Sequence, residues 1–511
     1  MCRHFKPAAR AAERAGLAAC IAAILAASAP TLAAARQPDV AGPATSGMAL
    51  RNVLAPARSD SRRSRGAAPF ASPSVTAGAV IPVTSCADDG GFDTLRHAVL
   101  TADSGDKIDL SGATCSKITL QSGAIAVGVD DLTIVGPGAK KLSIDGNDSG
   151  RVFNHTGLGK LTLNELTITN GKWVAEKAYG GCIQSKGDIV LNRSVVTSCE
   201  AIGSLKAIGG AAVAYGSFSA NYSTLSANVA TATAGVAGDL SAAAGAVFGS
   251  DSLGLFNSVV SGNIAQAPIG KTYGGALVGA NLSIKYSTVS GNQAIAASDP
   301  DGSYSSGGAA VAIYTTRIYS STIDHNVADV AGALAFMASD TSTALIKRTT
   351  ISSNVGTLGV GAIAANADTE ILNSTIAFNE SGPIIGFGIA FTATAKLQSV
   401  IIADNSPFDI AGGGVIAGSH NLVKIADASS TLPAGTITLD PKLAPLALNG
   451  GPTRTHAIGA NSPALHAGLN ANNDDYDQRG VGYERIVGPS TDIGAFEFDA
   501  DHIFGNGIDL F

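Results

Sequence analysis

A short pattern repeats along the chain from about residue 180 to about residue 405, with a period that wanders between about 25 and 35 residues. Each unit opens on a glycine paired with another glycine or with a small or apolar residue, and it closes on an apolar residue three positions before an asparagine. The openings are Gly180-Gly181, Gly209-Gly210, Ala244-Gly245, Gly274-Gly275, Gly307-Gly308, Ala331-Gly332 and Val360-Gly361. The closings are Leu225 with Asn228, Val260 with Asn263, Val289 with Asn292, Ile323 with Asn326, Ile351 with Asn354, Ile376 with Asn379 and Ile402 with Asn405. Because small and apolar residues alternate with period two and without helical spacing, the pattern predicts a β-solenoid.

Stacked coils would place like residues about 4.8 Å apart in ladders. We expect Val289, Ile323, Ile351 and Ile376 to form a buried inner column. The asparagines are expected at a tight turn, where the amide bonds backbone groups and tolerates a left-handed φ, and the glycines at corners where backbones approach closely. A disordered Gly/Ala-rich tract is the alternative, but in such a tract the apolar residues would not recur at the same positions of each repeat.

The chain has few charged residues, and its net charge is negative. Charged residues make up 14% and aromatic residues 5% of 511 residues, and the formal net charge is −7. Residues 1–35 hold four basic residues and one acidic residue, so the chain without them is still more acidic. This balance argues against a nucleic-acid partner, and we expect a monomer.

The N-terminus is typical of an exported protein. Residues 1–35 combine a basic start, an apolar run over 17–27 and a small-residue exit, which predicts a signal peptide. Cys20 resembles a lipidation site, but it lies inside the apolar run rather than after it. The run is too short for a membrane span, and no later segment approaches one. Residues 36–80 are rich in Ala, Pro, Ser and Arg, which predicts a flexible linker; its arginines could also contact anionic lipid or polysaccharide.

Four cysteines remain after residue 35. In an oxidising compartment an even number favours disulfides. We favour Cys86 with Cys115 and Cys182 with Cys199, although four cysteines allow three pairings. A reduced, buried set is the alternative.

Residues 81–105 are expected to cap the N-terminal end of the solenoid. Leu95, Ala98, Val99 and Ala102 form one helical stripe, and Asp93 precedes it as a candidate N-cap. A helix there would cover unpaired strand edges, which are otherwise an aggregation hazard. Residues 106–440 are then the parallel β-helix, with ten or more coils, and residues 441–498 are a turn-rich region that folds back on the final coils.

That C-terminal region carries four ordered motifs. They are Asn449-Gly-Gly-Pro-Thr453 with Thr455-His456, Ser462-Pro-Ala-Leu465, Asp477-Gln-Arg-Gly480 and Asp492-Ile-Gly-Ala-Phe-Glu497. In these motifs the chain resembles secreted bacterial proteins that have a right-handed parallel β-helix of the pectin-lyase-like type and a choice-of-anchor Q domain. Thr94-Leu-Arg96 and Ala98-Val99 resemble the companion CSLREA-type N-terminal region, without its cysteine motif. His466 stands where this family usually has an aspartate.

The resemblance implies architecture and location rather than activity. It implies an all-β, right-handed parallel β-helix with an N-terminal capping helix, on the outer surface of a bacterial envelope or secreted. Residues 499–511 form a C-terminal tail in which residues 501–509 resemble a short envelope-sorting signature, and a frayed end is the alternative.

Catalysis on such a fold needs facing carboxylates, or a carboxylate cluster for calcium with a basic residue. Outward positions are mainly Ser, Thr, Ala and Asn, and Asp130-Asp131 is interpreted as a turn. We expect His155, His325, His420 and His456 to be surface residues. The sequence therefore predicts no catalytic residue.

Asp474, Asp475 and Asp477 form the densest acidic group. They are weak candidates for a calcium site, because the spacing lacks the glycine and final glutamate of an EF-hand loop. Apart from this calcium ion we expect no cofactor.

Three functions remain. The first is a non-catalytic exported surface protein that adheres to polysaccharide or another cell-surface ligand. The second is a polysaccharide lyase or glycoside hydrolase with a dispersed site. The third, an autotransporter passenger, is disfavoured because no long stretch of barrel strands follows the repeats. Charged residues that converge from adjacent coils would favour the second.

Overall fold

The computed structural model describes residues 78–297, 303–337, 342–382, 386–412 and 414–500. The chain is nearly all β and forms a parallel β-solenoid of about 11 turns, which confirms the predicted fold class and coil number. The predicted signal peptide, residues 36–77 of the predicted linker and residues 501–511 lie outside the described residues. The right-handed sense stays an expectation from the resemblance.

Three parallel sheets run along the solenoid. Sheet A consists of Val80–Pro82, Lys107–Asp109, Ile125–Val127, Leu132–Val135, Phe153–His155, Lys160–Asn164, Ile183–Ser185, Asp188–Asn192, Ala212–Ala214, Phe218–Asn221, Val247–Phe256, Leu277–Lys285, Ala310–Ala312, Thr315–Tyr319, Leu334–Phe336, Thr343–Lys347, Ile363–Ala365, Asp368–Leu372, Phe387–Phe391, Ala395–Gln398, Phe408–Gly412 and Ile416–Ser419. Sheet B consists of Lys117–Thr119, Ser143–Asp145, Thr167–Thr169, Val195–Thr197, Thr224–Ser226, Val259–Ser261, Thr288–Ser290, Thr322–Asp324, Thr350–Ser352, Thr375–Ala377, Ile401–Ala403 and Leu422–Val423. Sheet C consists of Lys172–Tyr179, Glu200–Ile208, Val229–Ala232, Leu240–Ala243, Ile264–Ala267, Lys271–Tyr273, Gln293–Ala296, Ser305–Ser306, Val327–Ala328, Val355–Gly356 and Glu380–Ser381.

The repeat positions stack as the sequence predicts. In sheet B, Val289 pairs in register with Ile323, Ile323 with Ile351, and Ile351 with Ile376. All four side chains are fully buried. The predicted inner column is therefore confirmed.

The glycine at the second position of each opening is required by contact between coils. A Cβ on Gly210 would lie 2.1 Å from the carbonyl oxygen of Gly245, and one on Gly275 would lie 2.2 Å from that of Gly308. No side chain fits at either distance, so glycine is obligatory where neighbouring backbones meet.

The asparagines form a buried hydrogen-bonded ladder. The backbone N–H and the side-chain amide of Asn292 both donate to Oδ1 of Asn326, at 3.0 and 2.9 Å. The expected left-handed φ is wrong for the asparagines themselves. It falls on the preceding residue, for example Gly291 at +66° and His325 at +56°, because the asparagine must turn its side chain inward to reach its neighbour while the residue before it makes the turn.

The ladder has defined ends. At one end the N–H of Cys199 donates to Oδ1 of Asn228 at 3.1 Å, and Cys199 forms a disulfide with Cys182. At the other end Asp409 accepts both amide groups of Asn405 through one oxygen and the N–H of Ile425 through the other. An aspartate suits this end because both of its oxygens face donors.

A second apolar cluster lies outside the solenoid interior, on the outer side of sheet A. Val213, Val278 and Val311 pack there against Ile208 and Tyr273 of sheet C. The first sheet A strand of these coils is consequently buried on both sides, as in Ala310–Ala312. The second strand, as in Thr315–Tyr319, alternates between buried and accessible residues, so the accessible face of sheet A lies on the second strands.

The helix Leu95–Thr101 covers the N-terminal end, and its predicted apolar stripe is buried. Its N-cap is Thr94 rather than Asp93: the Thr94 hydroxyl accepts the N–H of His97 at 3.3 Å, whereas the carbonyl of Asp93 accepts the N–H of Thr84. The Cys86–Cys115 disulfide lies in the same cap. Sheet A begins at Val80–Pro82, earlier than residue 106.

The C-terminal region folds back on sheet B, as expected. Ser352 contacts His456, at 2.8 Å between Oγ and Nε2. Thr350 donates to Oε1 of Gln478 at 2.7 Å, and the N–H of Ala495 donates to Thr375 at 3.1 Å. The region thus covers the outer side of sheet B over these coils.

Candidate functional site

The accessible second strands of sheet A bring aromatic side chains of four successive coils together. They come from Phe218–Asn221, Val247–Phe256, Leu277–Lys285 and Thr315–Tyr319, which pair in register. We call the outward residues of these strands and of the corner after them the aromatic face. Its members are Ser219, Asn221, Tyr222, Gly254, Phe256, Asn257, Ser283, Lys285, Tyr286, Arg317 and Tyr319.

The rings of the aromatic face form a ladder. Tyr222 and Phe256 meet edge to face at 5.6 Å, and Phe256 and Tyr286 do so at 5.9 Å. Tyr222 and Tyr286 occupy left-handed corner positions, at φ +52° and +51°, which project their side chains from the edge of the solenoid. Tyr222 is 56% exposed. With Tyr319 in the next coil, the rings span about 15 Å along the axis.

Cations border the rings. The Arg193 guanidinium lies 5.8 Å from the Tyr222 ring, and Nζ of Lys285 lies 5.5 Å from the Tyr319 ring. Such distances suit cation–π attraction. Arg193 is itself paired with Glu165, at 3.8 Å between the guanidinium and the carboxylate, and the one acidic residue on the four strands of the face is Asp251, in the irregular segment of Val247–Phe256.

The face continues into a groove of about 480 Å³ over the next coils. One column of the groove runs in register from Arg317 through Leu345 and Glu370 to Lys396. Charged residues of adjacent coils therefore do converge here, contrary to the expectation that outward positions are mainly small and neutral. Nζ of Lys396 lies 2.6 Å from Oε1 of Glu370.

The parallel column of the groove holds a second carboxylate, Asp368, whose Oδ1 accepts the N–H of Thr394 at 3.2 Å. Asp368 and Glu370 lie two residues apart on one strand, so their Cα atoms are about 6.6 Å apart. A general acid usually keeps its proton through burial, but this groove is open to solvent. Glu370 is instead held by a lysine, an arrangement suited to hydrogen-bonding a polar ligand.

The three aspartates suggested for calcium, Asp474, Asp475 and Asp477, do not converge on one point, because two of them contact different cationic side chains. Asp474 lies 2.7 Å from Nζ of Lys347, and Asp477 lies 2.7 Å from the guanidinium of Arg479. Asp475 is exposed. Within the described ranges no group of three or more His, Cys, Asp or Glu side chains is arranged to hold a metal ion.

Two of the four histidines expected at the surface are buried, so that expectation is wrong for His155 and His456. The imidazole of His155 bridges Ser185 and the carbonyls of Val129 and Asp130. In His456, Nδ1 donates to the Ala444 carbonyl at 2.7 Å and Nε2 accepts from Ser352. Burial lowers the pKa of His456, so this histidine is a neutral structural link.

Asp130 and Asp131 lie at a bend between strands, as interpreted from the sequence. Their carboxylates accept the N–H groups of Leu158 and Lys160, at 2.8 and 2.9 Å. They organise the turn of the following coil.

The aromatic ladder is not among the features predicted from the sequence. Tyr222 and Tyr286 each stand three residues before a closing apolar residue, in Tyr222-Ser-Thr-Leu225 and Tyr286-Ser-Thr-Val289. Extending the repeat alignment upstream by three positions would have revealed them. No comparable sequence signal predicts that Arg317, Glu370 and Lys396 align in one column, because the repeat period is uneven.

Comparison with protein-family models, with curated proteins and with solved structures gave no match for this chain. Over the described residues, no helix is both long and apolar enough to cross a membrane.

Proposed function

We propose that the protein is an exported, non-catalytic surface protein that binds an extended polysaccharide along the aromatic face. The observation that carries the proposal is the ladder of accessible rings Tyr222, Phe256, Tyr286 and Tyr319 on consecutive coils. An aromatic ring offers a sugar a flat apolar surface at low entropic cost, and the hydroxyl of each tyrosine keeps its ring compatible with water.

The rest of the face suits sugar hydroxyls. Asn221, Asn257 and Ser283 supply amide and hydroxyl groups between the rings. With the groove, the surface extends over seven coils, about 30 Å along the axis. A linear polymer lying along the axis would meet the same chemistry in each coil, and the many weak contacts would add.

Two features support a location outside the cytoplasm, on a bacterial envelope or secreted. Both favoured disulfides are present, and disulfides persist mainly in oxidising compartments. The first 35 residues have the pattern of a signal peptide.

A glycan-array screen on the mature chain tests the proposal, followed by titration of a polymer that binds. Tyr222→Ala and Phe256→Ala should each weaken binding about tenfold, since stacking contacts are worth about 0.5–1.5 kcal/mol beyond buried area. Phe92→Ala is the matched control, because Phe92 is 89% exposed on the N-terminal cap. Equal losses for all three variants, or binding to no glycan, would refute the proposal.

Cleavage of the polymer is the second candidate, and the convergence of Glu370, Lys396 and Asp368 in the groove favours it. A reducing-end release assay with the bound polymer distinguishes the two. Under the proposal no sustained turnover is expected. Turnover that Glu370→Gln or Asp368→Asn abolishes, while binding persists, would establish the enzyme instead.

A further inference from the structure

We infer that the polysaccharide bound by the aromatic face carries anionic groups, which are received by a subsite made of Tyr319, Lys285 and Arg317. This inference rests on the proposed function and names the chemical class of its ligand. The shared chemistry is a negatively charged oxygen group on a sugar, either a carboxylate or a sulfate.

The geometry of the subsite follows from the register. Lys285 and Tyr319 are direct neighbours on adjacent strands, with Nζ of the lysine 5.5 Å from the ring. Arg317 lies two residues before Tyr319, on the same outward side of the same strand. One cation therefore lies over the Tyr319 ring from the adjacent strand, and another precedes the ring on its own strand.

Among the described residues, these two cations have no anionic partner. Neither Lys285 nor Arg317 forms an ion pair with a described residue, whereas Lys347, Lys396 and Arg454 each do. The chain as a whole is acidic, at −7, so its general field repels a polyanion. A polyanion would be held only where cations are left unpaired, as they are here.

Because the Lys285 ammonium lies over one face of the Tyr319 ring, a sugar would stack on the other face and direct its charged substituent past the edge of the ring. There the Lys285 ammonium can meet it as a point charge, and the Arg317 guanidinium can bind two of its oxygens at once. A neutral sugar would use the ring but leave both cations without a partner. The subsite should therefore discriminate by charge rather than by shape.

The experiment compares matched polymers with the mature protein, by titration at low and high salt. The pairs are polygalacturonate with its methyl ester, and dextran sulfate with dextran. We expect at least one charged polymer to bind about tenfold or more tightly than its neutral partner, and the preference to shrink at high salt. Which pair shows the preference distinguishes a carboxylate ligand from a sulfate ligand.

Variants locate the effect. Lys285→Gln with Arg317→Gln should remove the charge preference, costing about tenfold per charge-assisted contact, while Lys285→Arg should retain it. Lys172→Gln, which removes a cation paired with Glu200 on sheet C, is the control.

Equal binding of charged and neutral polymers, or a double variant with unchanged preference, would overturn the inference. In that case the Tyr222 and Phe256 variants still decide the proposed function. Binding to none of the four polymers would count against the inference, and binding to no glycan on the array would count against both.

Discussion

Sheet B is divided into an open part and a covered part that use nearly the same residues. Threonine occupies the first outward position in Thr224–Ser226 and Thr288–Ser290, and again in Thr322–Asp324, Thr350–Ser352 and Thr375–Ala377. The first two threonines are partly accessible, whereas Thr322, Thr350 and Thr375 are buried. Identical strand chemistry therefore leads to a solvated surface in one part and to an internal interface in the other.

The C-terminal region makes the difference. Where it lies on the sheet, the Thr322 hydroxyl donates to the Arg454 carbonyl at 2.6 Å and the Thr350 hydroxyl donates to Gln478. Further along, threonine is replaced by Ile401, which packs against Ile493 and Phe496. Burial on this sheet thus depends on a segment that is distant in sequence.

The C-terminal region is held together by buried charges. Arg479 stacks between Tyr483 and Phe496, with its guanidinium 4.0 and 3.9 Å from the two rings. Arg485 and Glu497 approach to 3.5 Å and are both fully buried. The C-terminal region is therefore a packed unit with its own polar core. Four predictions test how the covered part of sheet B differs from the open part.

The largest effect is expected in the inner column, where the two parts should behave alike. Ile351→Asp in the covered part and Leu225→Asp in the open part each bury a charge among apolar neighbours, at a cost of about 5 kcal/mol. Urea unfolding measures both, with outward Thr224→Asp as a control that should change little. A mild effect of Leu225→Asp alone would show that the open coils unfold separately.

Arg485→Ala should act mainly on the covered part. It removes a fully buried side chain and leaves the Asp492 carbonyl oxygen without the Arg485 donor that lies 2.8 Å from it, a combined loss worth about 3 kcal/mol. Amide exchange should accelerate over residues 441–500 and remain unchanged over sheet B strands up to Ser290. Arg193→Ala, at a 68% exposed side chain, should change the free energy of unfolding by less than about 0.5 kcal/mol. Faster amide exchange throughout the chain would contradict the view that the C-terminal region can open independently of the solenoid.

The pH dependence of stability should arise largely from the same network. Burial raises the pKa of Glu497 to about 8, and it also raises the pKa of Asp492. The folded protein therefore holds a proton that the unfolded chain releases above about pH 4.3, so the free energy of unfolding should fall as the pH rises from there to about 8. Glu497→Gln should flatten this slope, as measured by melting temperature across that interval. An unchanged slope would assign it to other groups.

The smallest effect is expected for the outward threonines. Thr350→Val removes a buried hydrogen bond and leaves Oε1 of Gln478 without it, so it should cost about 1–2 kcal/mol. Thr224→Val, on the open part, should stay within about 0.5 kcal/mol of zero. Equal values for the two variants in denaturant unfolding would mean that the cover contributes nothing at Thr350.

The predictability of each feature depended on whether it repeats. The inner column and the obligatory glycines recur in every coil, so the sequence predicts them. The N-cap was misassigned to Asp93 because Asp and Thr are both good N-caps, and only the backbone shows that the helix begins after Thr94. The surface assignment of His456 failed because its partners, Ser352 and Ala444, lie far from it in sequence.

The candidate site was the least predictable part. Tyr222 and Tyr286 stand three residues before a closing apolar residue, whereas Phe256 and Tyr319 stand four before one, so the complete ladder is visible only when the strands are paired in register. The second apolar cluster, from Val213 to Val311, was hidden for the same reason. It also depends on sheet C residues that fold over sheet A.

The sequence by itself determined that this chain stacks coils, which residues face inward, and which cysteines were the favoured disulfide partners. Those features follow from alternation and repetition, which act between neighbouring coils and are therefore written in each repeat. Only the tertiary structure decided which outward faces stay open, because covering a face depends on where distant segments pack. Thr224 and Thr350 occupy the same repeat position, and packing alone makes one a surface residue and the other part of a core.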